Sequence, residues 1–401
     1  MSQKDQKEIK YHPESVKDLL KEMKDVSELM VDLSYSAVLF ENEYIAEEVL
    51  KLEERMDVLL YHTRIAAILG ARGVEEAEKL SGILQIASAA EKMSNAAGDI
   101  SKIVLAELKL PNELKSILQE AEETVTRVKL SSDSKFASKT LGELKTKTDT
   151  GMKVIAIRRG SDWIYNPNRD TRLIREDIVF AKGPDEGVPI FYELAAAEKY
   201  SKKTYNSEDK IEPLENAADL IIQMKNTSEL AVGLAYSAVL FHSEDIAYEV
   251  QLLENQMDNM KNQLESLILE SAKLVKDINC LRGLLSLGIS SEIISDAAYE
   301  IADIVLRNIE LHPVFVLAVR ESDEVISSVD VKKSSDVAKK TLGSLKLETE
   351  TGMFVLAIRR KNQWIYHPDS KTVIDAGDSL IAKGTKAGEE LLIGMCTKKN
   401  F

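Results

Sequence analysis

The sequence predicts an α+β protein: two tandem copies of an antiparallel three-helix bundle followed by a small α+β domain, related by a pseudo-twofold axis. Three observations predict it. Residues 14–190 recur at 215–391 without insertion, so that Tyr35 returns as Tyr236, Asp57 as Asp258 and Trp163 as Trp364, each 201 positions on. Apolar residues in the first part of each copy follow helical spacing, and in the second part they alternate or run together as in strands. A solenoid unit has roughly 20–50 residues, far fewer than this period. Each copy is therefore a complete domain set, and two like units in one chain are expected to pack as a joined homodimer does.

The 401 residues, 30% charged and 44% hydrophobic, describe an ordinary globular chain. A net charge of −15 argues against a nucleic-acid partner, because phosphate-backbone affinity needs clustered Lys and Arg. Cys280 and Cys396 fall opposite Lys79 and Ala195 in the first copy, so neither recurs. That pattern argues against a disulfide framework and a cysteine metal site and makes reduced thiols in a cytoplasm the simpler reading. The N-terminal MSQKDQKEIKYHPES lacks the apolar stretch of a signal peptide, and the longest apolar run, Leu230 to Phe241, is about half of what spans a bilayer. The expectation is a cytoplasmic protein that reaches a membrane only through a partner.

Taken in order, Pro13 and Pro213 stand near the first helix starts, where a missing N–H costs little. The spacing predicts helices over 14–40, 43–69 and 74–108 and again over 215–241, 244–270 and 275–309, with Val49, Leu52, Met56 and Leu59 as a typical stripe. The α+β part then predicts a strand over 124–130, a short helix over 134–144, and strands over 152–157, 162–165 and 177–181. The turn at Asn166-Pro167-Asn168 separates the last two. Domain limits follow at 14–110, 111–197, 213–311 and 312–401, with a polar, lysine-rich linker at 198–212.

These residues resemble two families. Thr150-Gly-Met-Lys-Val-Ile-Ala-Ile-Arg-Arg-Gly160, Trp163-Ile-Tyr165 and Asp177-Ile-Val-Phe-Ala-Lys-Gly183, with their second-copy equivalents, resemble the C-terminal domain of TrkA-type potassium-transport regulators (RCK-C). The helical parts, through Ile86-Ala-Ser-Ala-Ala-Glu-Lys-Met-Ser-Asn95 and Ser290-Ser-Glu-Ile-Ile-Ser-Asp296, resemble the PhoU family of phosphate-transport regulators. The resemblance implies a PhoU-like bundle plus a TrkA-C domain, duplicated. No Gly-x-Gly-x-x-Gly follows any predicted strand, so the nucleotide-binding Rossmann domain usual in TrkA-type regulators is not expected, nor NAD.

Carboxylates four apart share a helix face. Glu53 and Asp57, then Glu91, Asn95 and Asp99, do so in the first copy; Glu254 and Asp258, then Glu292, Asp296 and Glu300, do so in the second. Like charges at this spacing cost an isolated helix a few tenths of a kcal/mol. A divalent metal or iron would relieve that cost through oxygen ligands, as the PhoU resemblance implies. The competing reading is a solvated acidic face paired with Lys or Arg. Asn95 predicts weaker binding in the first copy.

Arg158-Arg159 and Arg359-Arg360 end the main strand of each α+β domain. Arginine suits phosphate, and the TrkA-C resemblance implies an anionic ligand, such as a cyclic dinucleotide, between paired domains. The competing reading is a salt bridge to Asp162 and its neighbours. Trp163 and Trp364 read as packing residues, and the five histidines form no repeated cluster and no catalytic set, so no enzyme is expected. The function implied is a cytoplasmic regulatory subunit of potassium or other cation transport, partnered by a membrane transporter or channel subunit. The alternatives are a metal-binding phosphate-signalling adaptor and a metal-dependent enzyme.

Overall fold

The computed structural model describes residues 11–397 except 109, 112–113, 115–123, 145, 147–149, 202–210, 276–277, 323 and 362. Each copy opens with three long helices: α1 (Val16–Phe40), α2 (Glu43–Gly70) and α3 (Val74–Leu105) in the first. The turn between α1 and α2 is made by two residues. Glu41 adopts the left-handed conformation (φ 46°) and returns its N–H to the carbonyls of Ala37 and Val38, and the Asn42 side chain then accepts from Ile45 N. A left-handed C-cap followed at once by an N-cap reverses the chain in the shortest space. The second copy repeats the device with His242 (φ 48°) and Ser243 between α6 (Glu212–Phe241) and α7 (Glu244–Ser271). The third helices stop short of the predicted ends, because Glu107 and Asn308 turn left-handed (φ 52° and 53°) after α3 and after α8 (Asn279–Leu306).

The two bundles join along α3 and α8, which run antiparallel. A Cβ on Gly82 would stand 2.4 Å from Leu311 Cδ2, and one on Gly283 2.5 Å from Leu110 Cδ2. These contacts exchange the copies, since Gly283 is the equivalent of Gly82 and Leu311 that of Leu110. Reciprocal contact of this kind is what a twofold interface requires. The same exchange recurs between the first helices, where Lys24 Nζ lies 5.4 Å from the Tyr236 ring centre and Lys225 Nζ 5.5 Å from that of Tyr35.

The first α+β domain holds β1 (Thr124–Lys129), α4 (Leu141–Leu144), β2 (Lys153–Arg159), β3 (Asp162–Tyr165), β4 (Ile178–Gly183) and α5 (Gly187–Ala196). Its antiparallel sheet has the order β1-β4-β2-β3. One face, with Ile155, Phe180 and Trp163, joins the core of the helical bundles, and the other, with Val154, Ile157 and Val179, packs with Phe136 and Phe191. Of the predicted helix over 134–144 only α4 forms.

The second domain comprises α9 (Val314–Glu321), β5 (Val325–Asp330), β6 (Lys340–Thr341), α10 (Leu342–Leu345), α11 (Leu347–Thr351), β7 (Met353–Arg360), β8 (Gln363–Tyr366), β9 (Val373–Ile374), β10 (Ser379–Gly384) and α12 (Lys386–Thr397). Its main sheet repeats the order as β5-β10-β7-β8. The short β6–β9 pair and α9 have no counterpart in the sequence reading. Helix α9 packs against α1, with Phe315 stacked on Tyr236 at 6.4 Å.

Candidate functional site

The paired arginines part company because of a β-bulge. In β2 the pairing with β4 skips Ile155, from Val154↔Ala181 to Ala156↔Phe180, and β7 skips Leu356 in the same way. One extra residue reverses the alternation of side chains beyond it. Arg158 therefore shares the bundle-facing side with Lys153 and Ile155, and Arg159 shares the other.

On that other side Arg159 is committed to Asp177. Its Nε and Nη2 donate to the two carboxylate oxygens at 2.9 and 2.8 Å, and Nη2 also donates to the Arg172 carbonyl at 2.9 Å. Asp177 is buried and accepts from Ile174 N at 2.8 Å as well. Arg360 repeats the arrangement with Asp378, again at 2.9 and 2.8 Å, and adds Asp375 at 3.2 Å. These two arginines clasp the end of each sheet. The partner of Arg159 is Asp177 rather than Asp162. The repeated Asp at the start of the last strand was the available signal.

Arg158 and Arg359 take different positions. Arg158 lies over the Tyr44 ring at 4.5 Å and donates from Nε to the Gly160 carbonyl at 3.0 Å. Arg359 lies over its own cross-strand neighbour Trp364 at 5.9 Å.

The contact between the two α+β domains runs through lysines. Glu324 receives Lys153 of the first domain at 3.4 Å and Lys383 of the second at 3.1 Å, and its carbonyl accepts from Lys24 of α1 at 3.4 Å. Lys182 pairs with Asp32 at 2.8 Å, and Lys225 pairs with Glu229 at 2.8 Å. Burial works against ionisation of Glu229, yet Lys225, Lys182 and Lys383 together hold its carboxyl below the usual carboxylate range. Side chains from all four domains thus share a single seam of charge. Two small clefts open beside it, one lined by Asp25, Glu28, Asp32, Lys153, Asn166 and Glu324, the other by the near-equivalent set with Asn226, Glu229, His367 and Lys383. Sequence reasoning missed this seam, since it joins residues up to 300 positions apart.

The helical carboxylates divide. In the first copy Lys102 stands among them, 2.8 Å from Asp99 and 3.7 Å from Glu53, and Asn95 donates to Glu91 at 2.9 Å. Glu53 lies against Gly98 and is raised by burial, with Asp99 and Asp57 adding to the effect and Lys102 opposing it. In the second copy Glu254 and Asp258 of α7 face Glu292 and Asp296 of α8. Burial first, then Glu292, Glu254 and Asp258, push Asp296 up to about 6, while Lys261, 2.9 Å from Glu292, opposes. Glu300 is drawn away from this group by an ion pair with Lys92 across the interface of the copies. Among the described residues no three His, Cys, Asp or Glu side chains stand close enough to hold one ion.

A TrkA-C domain model matches residues 125–196 and 326–393, and a PhoU domain model matches 20–104 and 221–305. The chain carries two PhoU domains and two TrkA-C domains. Both are regulatory domain families rather than known enzymes. Among solved structures, PhoU from Pseudomonas aeruginosa is similar at 12% identity, covering 73% of this chain and 96% of that one, with a TM-score of 0.40. The GsuK channel bound to NAD is similar at 13% identity, covering 80% and 65%, with a TM-score of 0.19. The GsuK RCK domain follows at 12%, covering 80% and 78%, with 0.18. No curated protein matches the chain. No helix among the described residues is long and apolar enough to cross a membrane.

Proposed function

We propose that the protein is a cytoplasmic regulator of cation transport, potassium above all, in which the TrkA-C domains sense a small ligand and the PhoU bundles engage a membrane transporter or channel subunit. The observation that supports this reading is the charged seam at Glu324, where both TrkA-C domains and the first PhoU helix meet. A ligand that shifts one TrkA-C domain must break or re-form those pairs, and so biases the packing of the helices. Potassium uptake into transporter-bearing vesicles, with the purified protein added, tests it. Ligand-dependent uptake that Glu324→Gln abolishes supports the reading; uptake indifferent to the protein refutes it.

A second reading, a metal-binding phosphate-signalling adaptor, is favoured by the raised Asp296. A divalent cation or iron drawn to Glu254, Asp258, Glu292 and Asp296 would relieve their mutual repulsion once the side chains turned toward it. Cation-dependent stabilisation together with phosphate-regulated, potassium-independent partner binding would select this reading over the first.

A further inference from the structure

The bulge that turns Arg158 toward the bundle also places it on the same face as Arg127 of β1. In the sheet register Arg127 stands opposite Phe180 and Arg158 opposite Ile178, and these two apolar residues are successive members of one face of β4. The two arginines therefore flank the same strip of β4 on one face of the sheet. The Arg127 side chain has no hydrogen bond and no ion pair with any described residue. Arg158 lies over the Tyr44 ring and spends Nε on Gly160, which leaves its terminal nitrogens without a partner among the described residues. Tyr44 belongs to the first turn of α2 and is itself exposed. Desolvation against the sheet and then the neighbouring Arg158 disfavour the charge on Arg127, although the residue is exposed.

The geometry points to a site for a phosphate-bearing small molecule between Arg127 and Arg158 on the first TrkA-C domain, with Tyr44 of the first PhoU domain as its floor. It rests on the ligand-sensing reading above and gives that ligand a place, at the edge of one domain and away from the lysine contact between the two. The arrangement is absent from the second copy. There Ser328 replaces Arg127 and Asp245 replaces Tyr44, and Asp245 accepts from Trp364 Nε1 at 3.2 Å. A phosphate group accepts several N–H donors at once, and two arginine forks supply them with charge assistance.

The test is calorimetry on the full chain with inorganic pyrophosphate and with cyclic di-AMP, in low and in high salt. Wild type takes up one equivalent of at least one probe, more weakly as salt rises. Arg127→Gln and Arg158→Gln each weaken that binding by about tenfold or more, whereas Arg359→Gln, the second-copy equivalent, leaves it unchanged. Circular dichroism confirms that each variant is folded. Absence of heat with both probes overturns the site, as does equal loss in Arg359→Gln or none in Arg127→Gln. Binding that follows this pattern but leaves cation uptake untouched would refute the regulatory reading and keep the site.

Discussion

Removing Arg360 strands a buried charge, and the size of the effect can be worked from its surroundings. The Asp378 side chain is 1% exposed and Arg360 32%. Truncating one partner of a buried ion pair costs about 3–5 kcal/mol. Here solvent reaches the arginine, and Asp378 keeps the Asp375 N–H at 2.7 Å, so Arg360→Ala should cost about 2–3 kcal/mol. Arg359→Ala removes only a contact with Trp364 and a long hydrogen bond to Ser379, and should cost under about 1 kcal/mol. Trp364 reports on this sheet, and Trp163→Phe silences the other. Urea unfolding of that background, followed by tryptophan fluorescence, should show the Arg360→Ala transition well below the Arg359→Ala one. Equal shifts would refute the assignment of Arg360 to a structural clasp and return it to the ligand candidates.

The acidic face of the second copy gives a pH test. A carboxyl whose folded pKa lies above its unfolded value destabilises the fold as pH rises between the two. Asp296→Asn should therefore stabilise by about 1 kcal/mol at pH 7 after allowance for solvent screening, and by almost nothing near pH 4; thermal melts at both values decide it. If a divalent metal binds there, it should raise the wild-type melting temperature and not that of Asp296→Asn. Gly187→Ala should destabilise the first α+β domain by about 1–3 kcal/mol, since the new Cβ would meet the Thr150 carbonyl oxygen at 2.2 Å and backbone cannot step aside; an unchanged melt would contradict that packing. Tyr165→Phe, which removes the hydroxyl bonded to the buried Glu48, should cost about 1–2 kcal/mol in the same assay, and a neutral result would mean the bond carries no net stabilisation.

The parts of the fold that were legible are those whose signal is local. Helical stripes such as Val49, Leu52 and Met56 and the runs around Ile157 and Val179 carry their period in a few neighbouring residues, and the duplication doubled each reading. The roles of Arg158 and Arg159 were not legible, because alternation assigns faces only in an unbroken strand and one extra residue at Ile155 reverses it. The seam at Glu324 escaped for another reason: its lysines come from three separate segments, and no spacing rule links them. Asp296 was picked out by its helical position, but the Lys102 that neutralises the first copy and the Lys92 that claims Glu300 act from outside the four-residue pattern.

The reciprocal contacts at Gly82 and Gly283 make the molecule a dimer in shape, while its single chain frees the halves from sharing a sequence. A true homodimer must carry every substitution twice. This chain keeps Arg127 where its other half has Ser328, and Asn95 where the other has Asp296. A symmetric partner offered both ends would meet two different surfaces. It could dock in one preferred orientation, so that the complex has a direction although its scaffold does not.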